Sequence, residues 1–460
     1  TATLFLTQCG GVGEDGSGMT PPDTHTTGVV NGFGSVVVNG IHFDVRSADI
    51  VVDGIAGRTQ ADLRGGMVVD VVSRIAPSGN TGTATRLVYE SLLRGNIEAL
   101  PGAGVVSVLG QRIVIGEGTL FSNASEIDDL QLGDRVQVSG FRAPDGSLHA
   151  TWVAKEGSGG NLQLTAFISS ITGSSVRLSG LDIDLATAEF EGVTQATLAA
   201  GQLVRVVLQA APTNGQAVAR KISLVDRRTA TSLSKQQIEG ITAQWDAGTG
   251  RFSLNGQAVQ VNLATRYEGG TRADLATGVR IRVTGTLDSA QVLNAEKLSF
   301  FPVSLSGYAR GRVTAVDPAG QRFNLLDNPG VEIRIRAETL LNDTLVDGGT
   351  LNLGNLAVGD EIVVLGQADG DRIDAELVTR LPRSTPGTGV GGPARRIGTT
   401  TALTILGTGV DTSGANYFNA QGGAMTQSEF FAALQQDDLV RAEGIYLGGV
   451  LNAVTVRRVR

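Results

Sequence analysis

A pattern of the form Leu-x-x-Gly-x-x-Val-x-Val recurs along this chain, and nothing else narrows its possible folds as far. The clearest copy is Asp129-Leu130-Gln131-Leu132-Gly133-Asp134-Arg135-Val136-Gln137-Val138-Ser139-Gly140. Its leucine recurs as Leu63, Leu130, Leu198, Leu275, Leu356 and Leu434. Three positions on stand Gly66, Gly133, Gly201, Gly278 and Gly359, with Asp437 in the sixth copy. Alternating aliphatics follow, such as Val136/Val138, Ile281/Val283 and Val440/Ala442. Alternation with period two marks a strand with one buried face, and self-similarity at a near-constant period marks a tandem array. In this frame Asp134 and Arg135 read as free to vary.

A second anchor follows each copy, Ala-x-x-aliphatic: Ala84/Leu87, Ala150/Val153, Ala219/Ile222, Ala295/Leu298, Ala375/Val378 and Ala453/Val456. Turn dipeptides such as Asn214-Gly215 and Asp369-Gly370 separate the two anchors, so each copy ends in a hairpin. Earlier strands alternate as plainly, as in Val259-Gln260-Val261-Asn262-Leu263. Thr426-Gln427-Ser428-Glu429 is a capping box that opens a helix before the fourth strand of the sixth copy. About five strands with a short turn or helix before the fourth is the order of an OB-type barrel. The predicted fold is all-β, a tandem row of small OB-like β-barrel modules. Another small barrel or an extended β-solenoid is the alternative.

The predicted divisions are a leader-like segment and tether at 1–27, then modules at 28–94, 95–157, 161–228, 236–302 and 305–383. A linker at 384–393 and a divergent sixth module at 394–460 complete the chain. Glycine supplies 63 of 460 residues, about twice the usual share, which suits many tight turns. The net charge of −8 argues against nucleic acid, whose binders neutralise phosphate with a basic surface.

The run Gly32-Phe33-Gly34-Ser35-Val36-Val37-Val38-Asn39-Gly40, with Asp62-Leu63-x-x-Gly66-Met67-Val68-Val69, resembles the bacterial family called domain of unknown function 5666. The resemblance is strongest over residues 28–155 and looser through the later repeats. It implies an OB-like fold in an exported, often lipoprotein-like protein, and it brings no activity and no functional residues.

The opening Leu4-Phe5-Leu6-Thr7-Gln8-Cys9-Gly10 resembles a bacterial lipobox, although Gln8 departs from the small residue preferred before the cysteine. Cys9 is the lipidation candidate, and Gly10 after it resembles outer-membrane sorting. The expected location is exported: an outer-membrane lipoprotein, the periplasm or the extracellular space, with any membrane contact made through a lipid on Cys9.

Catalytic chemistry finds little footing. His25, His42 and His149 lack metal-ligand spacing, with His25 in the tether. Residues 11–16 and 387–392 match Gly-x-Gly-x-x-Gly but read as linker glycines, without the strand and helix a dinucleotide site needs. The acids Asp369, Asp371 and Asp374 read as hairpin-turn residues rather than a calcium loop. Arg280/Arg282 and Arg334/Arg336 read as strand-face arginines pairing with acids such as Glu332 or Glu361. No enzyme and no cofactor are expected. The expected function is a cell-envelope or extracellular scaffold or adhesive array with protein or glycan partners. The alternative is a small-ligand or oligosaccharide carrier, with Tyr417, Phe418, Phe430 and Phe431 as ligand-binding candidates.

Overall fold

The computed structural model describes residues 23–459 other than 33–34, 103, 125–126, 226–234, 302–304, 338, 346–350, 384–386, 399–400 and 421. Cys9 and the glycine match at 11–16 lie outside the described residues.

Module one shows the plan. Its first strand, Thr24–Gly32, pairs antiparallel with Val36–Val38, which pairs with Ile41–Asp44. Ile41–Asp44 runs parallel to the last strand, Thr81–Tyr89. That strand pairs antiparallel with Val68–Ile75, which returns to the first. The ring is complete, in the order one-two-three-five-four-one. The same ring closes in module two, from Leu93–Gly102 to Leu148–Glu156. It closes again in module three, from Leu162–Thr172 to Gln216–Leu224, and in module four, from Lys235–Asp246 to Leu293–Phe300. Module five runs from Gly307–Asp317 to Arg372–Leu381, and module six from Thr388–Arg396 to Val450–Arg458. These are the small closed OB-like barrels that the repeat predicts; closure leaves the five ring strands no unpaired edge.

The recurring glycine is where each barrel closes. Its amide donates to the first strand: Gly66 to Val30, Gly133 to Ile97, Gly201 to Ile168, Gly278 to Thr242 and Gly359 to Val313, at 2.8–2.9 Å. The five glycines share φ values of 83–92°, a left-handed turn that side chains resist. Asp437 makes the same bond to Ala394 at 3.2 Å, with φ 65°. Aspartate tolerates that region better than most residues, so the sixth module keeps the turn without the glycine.

The recurring alanine has an equally local cause. Ala84, Ala150, Ala219, Ala295, Ala375 and Ala453 each stand at a bulge in the last strand, where one extra residue slips the pairing with the fourth strand. In four modules the fourth-strand residue opposite the bulge is glycine. A Cβ on Gly140, Gly285, Gly366 or Gly444 would stand 2.0–2.2 Å from a carbonyl oxygen of the last strand. The slot before the fourth strand holds a 3-10 turn in modules one to four, such as Gln60–Asp62 and Arg272–Asp274, and the helix Gln427–Ala433 in module six.

Asp134 and Arg135 are not free to vary. The Asp134 carboxylate accepts from the Gln131 amide at 2.8 Å and lies 2.7 Å from Lys155. Arg135 is buried and lies 3.1 Å from Glu156. The ion-pair partners Lys155 and Glu156 lie outside the repeated motif, in the last strand of the module, where the motif pattern alone does not reach.

The barrels join through their first strands. Leu93–Gly102 pairs antiparallel with Leu162–Thr172, and Gly307–Asp317 with Thr388–Arg396. Thr24–Gly32 pairs parallel with Lys235–Asp246. Modules two and three thus share an 11-stranded sheet, while modules one and four, and five and six, share 13-stranded sheets. The core of module one also takes in Leu120 and Trp152 of module two and Tyr308, Leu365 and Leu377 of module five.

Two sequence expectations change here. Residues 24–27 belong to the first strand rather than the tether, and His25 is buried with its Nε2 3.1 Å from Asp70. Of the linker expected at 384–393, residues 388–393 lie in the strand Thr388–Arg396. A Cβ on Gly389 would stand 2.8 Å from the Tyr308 ring, and one on Gly391 3.0 Å from the Tyr308 Cβ. Glycine here gives close approach between two barrels, not flexibility.

Candidate functional site

Module six departs furthest from the common plan, and its departure is built around the helix. Thr426 is the N-cap; its hydroxyl accepts from the Glu429 amide at 3.2 Å, and the Glu429 carboxylate accepts from the Thr426 amide at 2.7 Å. That backbone hydrogen bond, with the Thr426 hydroxyl, holds the Glu429 carboxyl below its usual range. The reciprocal bonds fix the helix start, and Phe430 and Phe431 turn inward from it.

The short strand Asn416–Phe418 runs parallel to the last strand and antiparallel to Ala424–Met425. It sets the Tyr417 ring 5.1 Å from Phe430 and 6.1 Å from Phe431, whose rings lie 5.5 Å apart. The Tyr417 hydroxyl donates to the Thr412 carbonyl at 2.5 Å and accepts from Gln427 Nε2 at 3.0 Å. The Arg396 guanidinium lies over the Phe431 ring, 4.6 Å from its centre. This is a filled aromatic core with its one polar atom satisfied.

The structure thus separates the four aromatic candidates. Tyr417, Phe430 and Phe431 are buried and serve the core, so their rings do not present a stacking surface. Phe418 is half-buried and, with Tyr417, borders an open hollow of about 450 Å³. Ser413, Asn416, Met425 and Gln427 also line it. The lining mixes hydroxyl and amide groups with aromatic and thioether edges and carries no ionisable acid or base apart from the phenol. Such a surface suits an uncharged, hydroxyl-rich ligand. Sequence reading reached the aromatic pair but not Ser413, Asn416 or Gln427, because short polar residues in turns give no periodic signal.

The remaining candidates resolve into pairs. Asp369 pairs with Arg372, and Asp374 with Arg336, at the tip and flank of one hairpin. Arg280 lies 2.5 Å from Glu239 and over the Phe301 ring. Glu332 meets Arg322 at 3.0 Å, and Glu361 accepts from the Gly387 amide at 2.9 Å. His42 and His149 are exposed on different modules. Among the described residues no group of three or more His, Cys, Asp or Glu side chains is placed to hold a metal ion.

A polar joint between modules one, two and three escaped the sequence reading. Asp53 Oδ1 accepts from the Ser91 amide and hydroxyl, both at 2.7 Å, and Oδ2 lies 2.8 Å from Arg94. Gln137 and Gln163 reach the same carboxylate at 3.2 and 3.3 Å. Beside it, Arg205 of module three donates to both Glu90 oxygens, at 2.8 and 2.9 Å. Only the Asp53-Gly54 turn dipeptide hinted at this place.

The model of a domain of unknown function, DUF5666, matches residues 94–154, 165–223 and 238–299, which fall in modules two, three and four. Among solved structures, "drosophila Unr CSD456" is 14% identical, with 46% of this chain and 97% of that chain covered and a TM-score of 0.14. No curated protein matches the chain.

Proposed function

Since the chain carries tandem DUF5666 domains, we propose that it is a non-enzymatic interaction scaffold of the cell envelope or extracellular space. The observation that supports this most is the sharing of three continuous sheets among six filled barrels. First strands that could receive a ligand strand or frame a cleft are instead paired with other modules. What this leaves is a stiff body with a varied polar exterior, and function on such a body lies in loops and outward faces. Pull-down with the whole chain from outer-membrane and matrix fractions is expected to retain protein or glycan partners. A single saturable small ligand with no macromolecular partner overturns the proposal.

The proposed location rests on the lipobox-like residues around Cys9. Metabolic labelling with a palmitate analogue is expected to mark the protein and to fail in Cys9→Ala. A chain left unlabelled removes the anchor from the reading.

The module-six hollow favours a second reading, an uncharged oligosaccharide bound by Asn416 and Gln427. A glycan array with the whole chain tests it, with Asn416→Ala as the control. Binding that survives this substitution unchanged excludes the hollow.

A further inference from the structure

The last hairpin of module six carries an apolar outward face. Ile445 is 66% exposed, Leu447 73%, Val454 53% and Val450 36%. Leu447 pairs directly with Val450 across the hairpin, and Ile445 lies two residues back on the same side.

The bulge gives a common register for judging this face. Gly444 faces Ala453 as Gly366 faces Ala375 and Gly285 faces Ala295. In module five the positions of Ile445, Leu447, Val450 and Val454 are held by Gln367, Asp369, Arg372 and Glu376. Module four places Thr286, Asp288 and Glu296 at three of them. The position after the bulge is Arg74, Gln209, Thr286 and Gln367 in modules one, three, four and five. It is apolar in two modules only. In module two it is Phe141, 3% exposed, buried against Val29 of module one and Ile241 of module four. In module six it is Ile445, which nothing in the chain's described residues covers.

We propose that the module-six hairpin is a self-association surface, covered by the same hairpin of a second copy of this chain. In module two the apolar residue at this position is covered within the chain, by the joined first strands of modules one and four. The four exposed side chains bear no charge, so a chain of net charge −8 can bring two copies together there without opposing like charges. A face that meets its own copy about a two-fold axis needs no second complementary surface. Four side chains fall short of the ~1,200–2,000 Å² of a tight interface, so the dimer is expected in the micromolar range.

Sedimentation velocity on the whole chain, from about 1 to 200 μM, tests this. The expected result is reversible dimer formation. Ile445→Gln with Leu447→Asp, chemistry that module five already tolerates, is expected to weaken it about tenfold or more. Val454→Glu, matching Glu376 and Glu296, does the same from the other strand and guards against misfolding of the first variant. Leu447→Cys in a Cys9→Ser background is expected to cross-link copy to copy on mild oxidation. A monomer throughout the range, or a dimer indifferent to both variants, overturns the proposal.

Discussion

The Gly133 amide donates to the Ile97 carbonyl at 2.9 Å, and the Ile97 amide donates back to Asp134 at 2.8 Å. This reciprocal pair ties the start of the fourth strand to the first and closes the second barrel. Every module repeats it, with Gly66 and Val30, Gly201 and Ile168, Gly278 and Thr242, Gly359 and Val313, and Asp437 and Ala394.

The glycine serves the turn rather than the space around it, since a Cβ on Gly133 would meet nothing within 4 Å. Gly133→Val is therefore expected to lower stability by about 2 kcal/mol through the left-handed backbone alone. Gly133→Asn is expected to lose less, because asparagine tolerates that region. Denaturant unfolding of the two variants checks the order, and equal losses would place the cause in packing.

The bulge glycine fails for the opposite reason. A Cβ on Gly366 would stand 2.2 Å from the Asp374 carbonyl oxygen, while one on Gly359 meets nothing within 4 Å. Gly366→Ala is expected to cost about 3 kcal/mol through forced backbone movement, and Gly359→Ala about 1–2 kcal/mol. Thermal melts of both variants give the comparison, and a milder Gly366→Ala contradicts the bulge argument.

Burial raises the Glu90 carboxyl to about 7 from its usual 4.5, against the opposing pull of Arg205. The folded state thus holds this proton more tightly than the unfolded chain. Its stabilising contribution is complete below about pH 4.5 and is lost as the pH rises to about 7. The protection of the Ser91 and Gln163 amides, taken relative to the intrinsic base-catalysed exchange rate at each pH, is expected to fall across that window. Glu90→Gln, which has no proton to lose, is expected to flatten this dependence. An unchanged pH slope in Glu90→Gln assigns the effect elsewhere.

Trp152 is 3% exposed and belongs to the core that modules one, two and five share, with its ring 6.5 Å from Tyr89. Trp152→Ala is expected to cost about 3–5 kcal/mol and to loosen the packing of these barrels. Small-angle scattering should then show a larger radius of gyration. A destabilised chain of unchanged size would mean that the shared sheets alone hold the assembly.

The motif leucines, the left-handed glycines and the alanines at the bulges were legible because each answers a requirement inside one barrel. Residues that lie close in sequence impose those requirements, so they recur with the period of the repeat. The module-six site was legible only in part. Tyr417, Phe430 and Phe431 could be read as a cluster, but their inward direction follows from how the helix lies on the barrel.

The sequence by itself determined the module: its five strands, their order, and the residues that close the ring. Tertiary structure alone decided which modules meet. The parallel pairing of Thr24–Gly32 with Lys235–Asp246 joins the first barrel to the fourth, past two intervening modules. It rests on backbone hydrogen bonds, which carry no side-chain signature. The same holds for Gly389 and Gly391, which read as a linker and act as room for Tyr308. Close approach between distant surfaces is a property of shape, and a one-dimensional pattern does not contain it.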